Sequence, residues 1–242
     1  MSSPDRRRYV VFAVAAALIV TAGCATTRGG GEVAPPPLSG TRTGGVELRG
    51  TARGPLPGMG PEARVHAFLR NDASARVEIR YRPEGRAPVH EVLVWTADTA
   101  LLFDRRTGRF TDMGERPGRF EAQGGSFEVG DLVWILTGRT VGNRARPWER
   151  AGDEIRRRGE RRGWRRARSR PLEWAELVWR VDDEVRTIRT VVEAHEGPGP
   201  DALPRRLRIG APGVEAPIVV DWSEIRTVAA LGDSILDPLW EP

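Results

Sequence analysis

The 242 residues contain no lysine and only one cysteine, Cys24. A single thiol cannot close an intramolecular disulfide, so the core must hold without covalent staples. Because every side-chain cation other than histidine is arginine, the sequence pI near 10.6 owes much to guanidinium groups that never deprotonate. Histidine is scarce too: His66, His90 and His195 fall far apart, without H-E-x-x-H or any metal-ligand spacing, which favours satisfied strand residues over a metal centre. There is no G-x-S-x-G elbow, phosphate-binding Walker loop or dinucleotide fingerprint, and no internal repeat of fixed period. Asp182-Asp183 fits a hairpin turn better than a pair of carboxylates for acid and base work. The expectation is a non-enzymatic protein with no cofactor and no metal.

What is present begins with an export leader. Arg6, Arg7 and Arg8 precede the uncharged run VVFAVAAALIVTAG, the order of n-region and h-region in a signal peptide. From Tyr9 to Gly23 the run is about 15 residues, which at roughly 1.5 Å each reaches about 23 Å into a core of about 30 Å. A cleaved leader is therefore favoured over a permanent transmembrane helix. The run ends in Thr21, Ala22, Gly23 and Cys24, which resemble the lipobox where signal peptidase II cuts before a cysteine that then receives lipid. Thr21 stands where Leu, Val or Ile is commoner. Residues 1–23 are expected to be the lipoprotein signal peptide and 24–44, rich in Gly, Pro and Thr, a flexible lipidated tether. Ala25, rather than Asp, follows the cysteine and favours the outer membrane, with the protein facing the periplasm. Removing Asp5 and the leader arginines lowers the formal charge from +5 to about +3, so the mature chain is nearly balanced and nucleic acid is not expected as a partner.

Residues 45–242, roughly 200, suffice for one domain with a sizeable core. Up to Phe120 they alternate apolar and polar residues between turn signals, as half-buried antiparallel strands do: Val65, Ala67 and Leu69 share one face, and Val77, Ile79 and Tyr81 oppose Glu78, Arg80 and Arg82, which are expected to meet water. SFEVGDLVWILTG changes period and predicts a helix capped by Ser126 and ended by Gly138, apolar nearly all round and so sandwiched or covering a cavity. The stretch 143–170 is polar and dense in arginine, and strand patterning resumes in EWAELVWRVDD and beyond. LGDSILDPLWEP predicts a closing helical turn or two, packing back through Leu231, Ile235, Leu236 and Trp240. The sum is a mainly β (α+β) chain: a curved antiparallel sheet or unclosed half-barrel with a helical lid.

The order LVWTADTALLFDRRTGRF, GDLVWILTG, paired strands, LPRRLRIGAPGVEAPIVVDWSEIRTV and LDPLWEP resembles the LolA/LolB lipoprotein-carrier superfamily and its LolB-like outer-membrane lipoproteins. The resemblance implies an eleven-strand half-barrel holding acyl chains beneath helices, with a role in moving lipoproteins or lipids. RPEGRAP, Arg82 to Pro88, departs from the family's membrane-bound receptor by offering no bulky apolar residue at a loop tip. On this reading Trp95, Phe103, Leu132, Trp134, Ile135, Leu136, Trp179 and Trp222 would line an apolar site, and the partners would be a membrane, through the lipid anchor, and the acyl chains of a lipoprotein or lipid. Arg161, Arg162, Arg165 and Arg166 form a possible anion site, since arginine forks match phosphates, with Trp164 free to stack or sit at an interface. The alternative is a scaffolding lipoprotein with a filled core that contacts envelope polymers or protein complexes through its surface.

Overall fold

The computed structural model describes residues 44–56, 60–113, 119–122, 125–141, 148–158, 162–212 and 216–240. The expected leader, the lipobox residues Thr21, Ala22, Gly23 and Cys24, the tether up to 43, and Arg161 lie outside the described residues.

The first block of strands is β1 (Gly45–Leu56), β2 (Gly60–Arg70), β3 (Ala75–Tyr81), β4 (Val89–Trp95), β5 (Ala100–Asp104) and β6 (Arg109–Asp112). A small hairpin, β7 (Phe120–Ala122) with β8 (Gly125–Phe127), leads into the helix α1 (Val129–Thr137). The second block is β9 (Glu149–Ala151), β10 (Glu154–Arg158), β11 (Arg162–Ala167), β12 (Trp174–Val181), β13 (Glu184–His195), β14 (Pro204–Gly210) and β15 (Ile218–Val228). Thirteen of these strands form one antiparallel sheet in the order β6-β5-β4-β3-β2-β1-β15-β14-β13-β12-β11-β10-β9. The described residues are mainly β, with an unclosed sheet and one short α-helix. Pairing of β1 with β15 joins the two blocks, and β6 and β9 are the free edges.

A bulge between Arg49 and Gly50 shifts the β1/β15 register, and a Cβ at Gly50 would stand 2.0 Å from the carbonyl oxygen of Asp221. Only glycine admits that approach, and bulges of this kind add local twist and bend a sheet. The turn at Asp182-Asp183 lies where the sequence places it, and the β5–β6 turn spans Arg105-Arg106-Thr107-Gly108. Asp104 Oδ1 accepts the backbone N–H groups of Arg106 and Thr107 in the β5–β6 turn, and Asp182, at φ 52°, turns β12 into β13.

One face of the sheet carries the main core, which includes Leu48, Val65, Ala67, Val77, Ile79, Leu93, Leu177, Ile188, Leu207, Val220 and every apolar residue of α1. On the other face of β3, Arg80 and Arg82 are exposed as expected, but Glu78 is only 2% exposed, and Arg76 on the same face is 0% exposed. The C-terminal segment, with a 3-10 turn at Asp233–Leu236, folds across this face: Leu231, Ile235 and Trp240 pack with Phe68, and Leu236 with Val92, Val94 and Phe103. Arg76 then donates to the carbonyls of Ile235, Asp237 and Trp240, so the covering segment supplies the acceptors that water would have offered.

The helix begins later than the patterning predicts. Ser126 lies in β8; the N-cap is Glu128, whose backbone N–H donates to the Asp131 carboxylate at 2.9 Å. Gly138 ends the helix in the left-handed region at φ 62°, as expected, with its N–H donating to the Trp134 carbonyl. The arginine-dense stretch contributes β9, β10 and β11 to the sheet, where alternation sends Trp164 into the core and Arg165 to the opposite face.

Candidate apolar binding site

Between α1 and the concave face of the sheet lies a cavity of about 30 Å³, lined by Leu132 and Leu136 of the helix and by strand residues that include Val65, Ala67, Ile79, Leu93, Val220 and Trp222. Its lining side chains are apolar apart from the indole of Trp222, and a volume of that size has room for about two or three waters. The cavity draws on both blocks of strands, because β2–β4 supply one wall and β14–β15 the other.

The expected lining residues divide into three sets. Leu132, Leu136 and Trp222 face the cavity. Trp95, Trp134, Ile135 and Trp179 are buried in the same core but do not line it. Trp134 stacks on Trp148 with centroids 4.9 Å apart and donates to the Glu176 carbonyl at 2.8 Å, while Trp179 meets Phe127 edge to face at 5.3 Å. Phe103 is a correction: it lies on the opposite face, packed with Val92, Val94 and Leu236 and stacked on Phe110. The reason is the period of two, since neighbouring Leu102 points to the core and Phe103 must point away.

Polar groups hold both ends of α1. At its start the Asp131 carboxylate, 1% exposed, accepts from Arg162 Nη1 at 2.6 Å and from Trp164 Nε1 at 2.8 Å. Arg162 also reaches Glu128 at 2.8 Å and the Ser126 carbonyl at 2.9 Å. At the far end Arg166 donates to the Gly138 carbonyl at 2.8 Å. Burial pushes the Arg166 guanidinium down to about 10, and Arg170 and Arg139 nearby push the same way. Arg162, Trp164 and Arg166 occupy alternate positions of one strand and so share the face toward α1. Beside them Arg157, 5% exposed, stacks between Trp148 and Trp164 at 5.0 and 4.4 Å from the ring centroids.

Of the arginines expected to form an anion site, Arg162 and Arg166 therefore fasten the helix, while Arg165 lies on the other face against Glu176 at 2.6 Å. The described three do not converge. Trp164 is buried, 6% exposed, rather than available at a membrane interface. The role of Asp131 was missed, although R-x-W-x-R at alternate strand positions opposite an acid in the first helical turn is a signal a sequence carries. The histidines are separate: His66 lies 2.8 Å from Glu47, His90 3.1 Å from Glu78, and His195 2.7 Å from the Leu172 carbonyl. Among the described residues no group of three His, Cys, Asp or Glu is placed to hold a metal ion.

No family model matches the chain, and no curated protein matches it. Among solved structures it is similar to a DUF1329 family protein from Desulfovibrio piger, known from a crystal structure, at 10% identity and a TM-score of 0.51 over 81% of this chain and 90% of that one. At such identity the likeness is one of fold: this chain shares a large antiparallel sheet with that protein.

Proposed function

We propose that this protein is a lipid-anchored component of the bacterial envelope, outer membrane by preference, that takes acyl chains of lipoproteins or lipids between α1 and the concave sheet, as LolA/LolB-like carriers would. The observation that carries the reading is the cavity itself: apolar side chains from both strand blocks converge on Leu132 and Leu136, and the helix above them is fastened at its two ends by discrete polar contacts. At about 30 Å³ the space is too small for an acyl chain, so binding requires α1 to lift. Burying ten methylenes contributes about 8 kcal/mol, whereas hydrogen bonds to charged groups are worth about 1.5–3 kcal/mol each. An incoming chain could thus offset the loss of two or three fastenings while replacing the apolar contacts that α1 gives up. The buried indole N–H of Trp222, which lines the cavity and has no acceptor among the described residues, could meet an ester or carboxyl oxygen of the same ligand.

The test is twofold. Protein purified from membranes is extracted and the extract read by mass spectrometry for acyl chains, and uptake of a fluorescent fatty acid is titrated. Leu136→Asp should abolish uptake with the far-ultraviolet circular dichroism unchanged. An empty protein that takes up nothing would discard the carrier reading. It would favour the scaffolding lipoprotein instead, a reading supported by the near-filled core.

A further inference from the structure

The face of the sheet opposite α1 has a groove of about 780 Å³ across β10, β11 and β12. Its floor holds Arg156 and Arg165, which stand directly opposite each other in the β10/β11 ladder. Like charges so placed repel unless an anion lies between them. Arg156 is 6% exposed, yet its nearest acid is Glu149 at 3.7 Å, beyond hydrogen-bonding distance, and its Nε has no acceptor among the described residues. Arg165 meets Glu176, a carboxylate it shares with Arg189 at 3.0 Å, and its Nε is likewise buried without an acceptor. The hydroxyl of Ser169, on the same groove, is the third buried group without a partner. Three unsatisfied donors in one groove are costly unless something supplies acceptors.

The groove also carries carboxylates that do not neutralise these arginines. Asp153, Glu154 and Glu173 line it, with Asp153 and Glu173 exposed, and none of the three forms an ion pair among the described residues. These three carboxylates thus share the groove with Arg156 and Arg165 without pairing with them, an arrangement complementary to a ligand bearing both charges.

We propose that this groove binds a phosphate ester carrying an adjacent ammonium group, the chemistry of a phosphoethanolamine headgroup. Arg156, Arg165 and Ser169 take the phosphate oxygens, and Glu154 and Glu173 the ammonium. The site is separate from the acyl cavity, since the sheet lies between them, and does not depend on the carrier reading.

Calorimetric titration of the full chain with phosphoethanolamine, inorganic phosphate and ethanolamine tests it. Phosphoethanolamine should bind saturably and at least tenfold tighter than either fragment. Arg165→Gln should weaken it at least tenfold, and Glu173→Gln should remove the preference over inorganic phosphate while leaving phosphate binding itself unchanged. Ser169→Ala, which removes a buried hydroxyl without burying a new charge, should weaken binding several-fold in a protein of unaltered melting temperature, and keeps the test open if Arg165→Gln misfolds. Vesicles containing phosphatidylethanolamine identify the source: competition with the soluble headgroup assigns the site to lipid, and its absence to a soluble phosphoamine, each consistent with the proposed chemistry. Absence of saturable binding, equal affinity for inorganic phosphate, or a titration unaltered by Arg165→Gln and Ser169→Ala in folded protein would overturn the proposal.

Discussion

Glu78 shows what a buried charge does at the scale of a single residue. Burial pushes its pKa up, but hydrogen bonds from His90 and Arg76, with the positive charge of Arg76 beside it, outweigh burial and hold the carboxyl at about 2. A depressed folded-state pKa means stability that is present above the ordinary value of 4.5 and lost as pH falls toward 2. The contribution is about 3 kcal/mol. Acid titration of the unfolding free energy should therefore steepen between pH 4.5 and 2 and flatten there in Glu78→Gln, which at neutral pH should itself be less stable by about 3–5 kcal/mol because Arg76 stays buried without its counter-charge. Gly138 is a second decisive residue. A Cβ there would stand 2.3 Å from Leu172 Cδ2, on a backbone at φ 62°, so Gly138→Ala should cost about 2 kcal/mol in a denaturant melt.

At the scale of elements, α1 is joined to the sheet by specific contacts as much as by its apolar surface. Asp131 receives Arg162, Trp164 and the Glu128 backbone, so Asp131→Asn should destabilise by about 2–3 kcal/mol, and a double-mutant cycle with Arg162→Gln should return a coupling above about 1 kcal/mol. If the carrier reading holds, the same substitution should speed fatty-acid uptake, since it loosens one end of the helix without touching Leu132 or Leu136. Hydrogen exchange across 129–137 reads the loosening directly, and unchanged protection would place the stability of α1 wholly in its apolar contacts.

For the whole molecule, the C-terminal segment decides which face of the β2–β5 block is dry. Ending the chain at Ala230 would uncover Phe68, Val92, Val94 and Phe103 and leave Arg76 without three carbonyl acceptors. A loss of about 5 kcal/mol is expected, which for a chain of this size lowers Tm by about 10–20 °C, together with binding of a hydrophobic dye. An unchanged Tm would show the segment to be a passive cover.

Most strands, the turn at Asp182, the Gly138 helix end and the placement of Leu132, Leu136 and Trp222 on the core side were legible in the sequence, because each is fixed by local rules: alternation, turn chemistry and an apolar helical run. The burial of Arg76 and Glu78 on the polar face of β3, the side of β5 that Phe103 takes, the strands inside the arginine-dense stretch and the partners of Arg162 and Arg166 were not. A period of two says that Leu102 and Phe103 point opposite ways and that Arg76 and Val77 do, but not which side a distant segment will cover. Only the tertiary structure brings residues 231–240 over Arg76, and β11 under Asp131. The sequence by itself determined an arginine-only, disulfide-free β protein with one apolar helix. Which charges are buried, and against what, was settled by contacts between segments up to about 160 residues apart, where the hydrogen-bonding demand of a buried guanidinium outweighs any local preference.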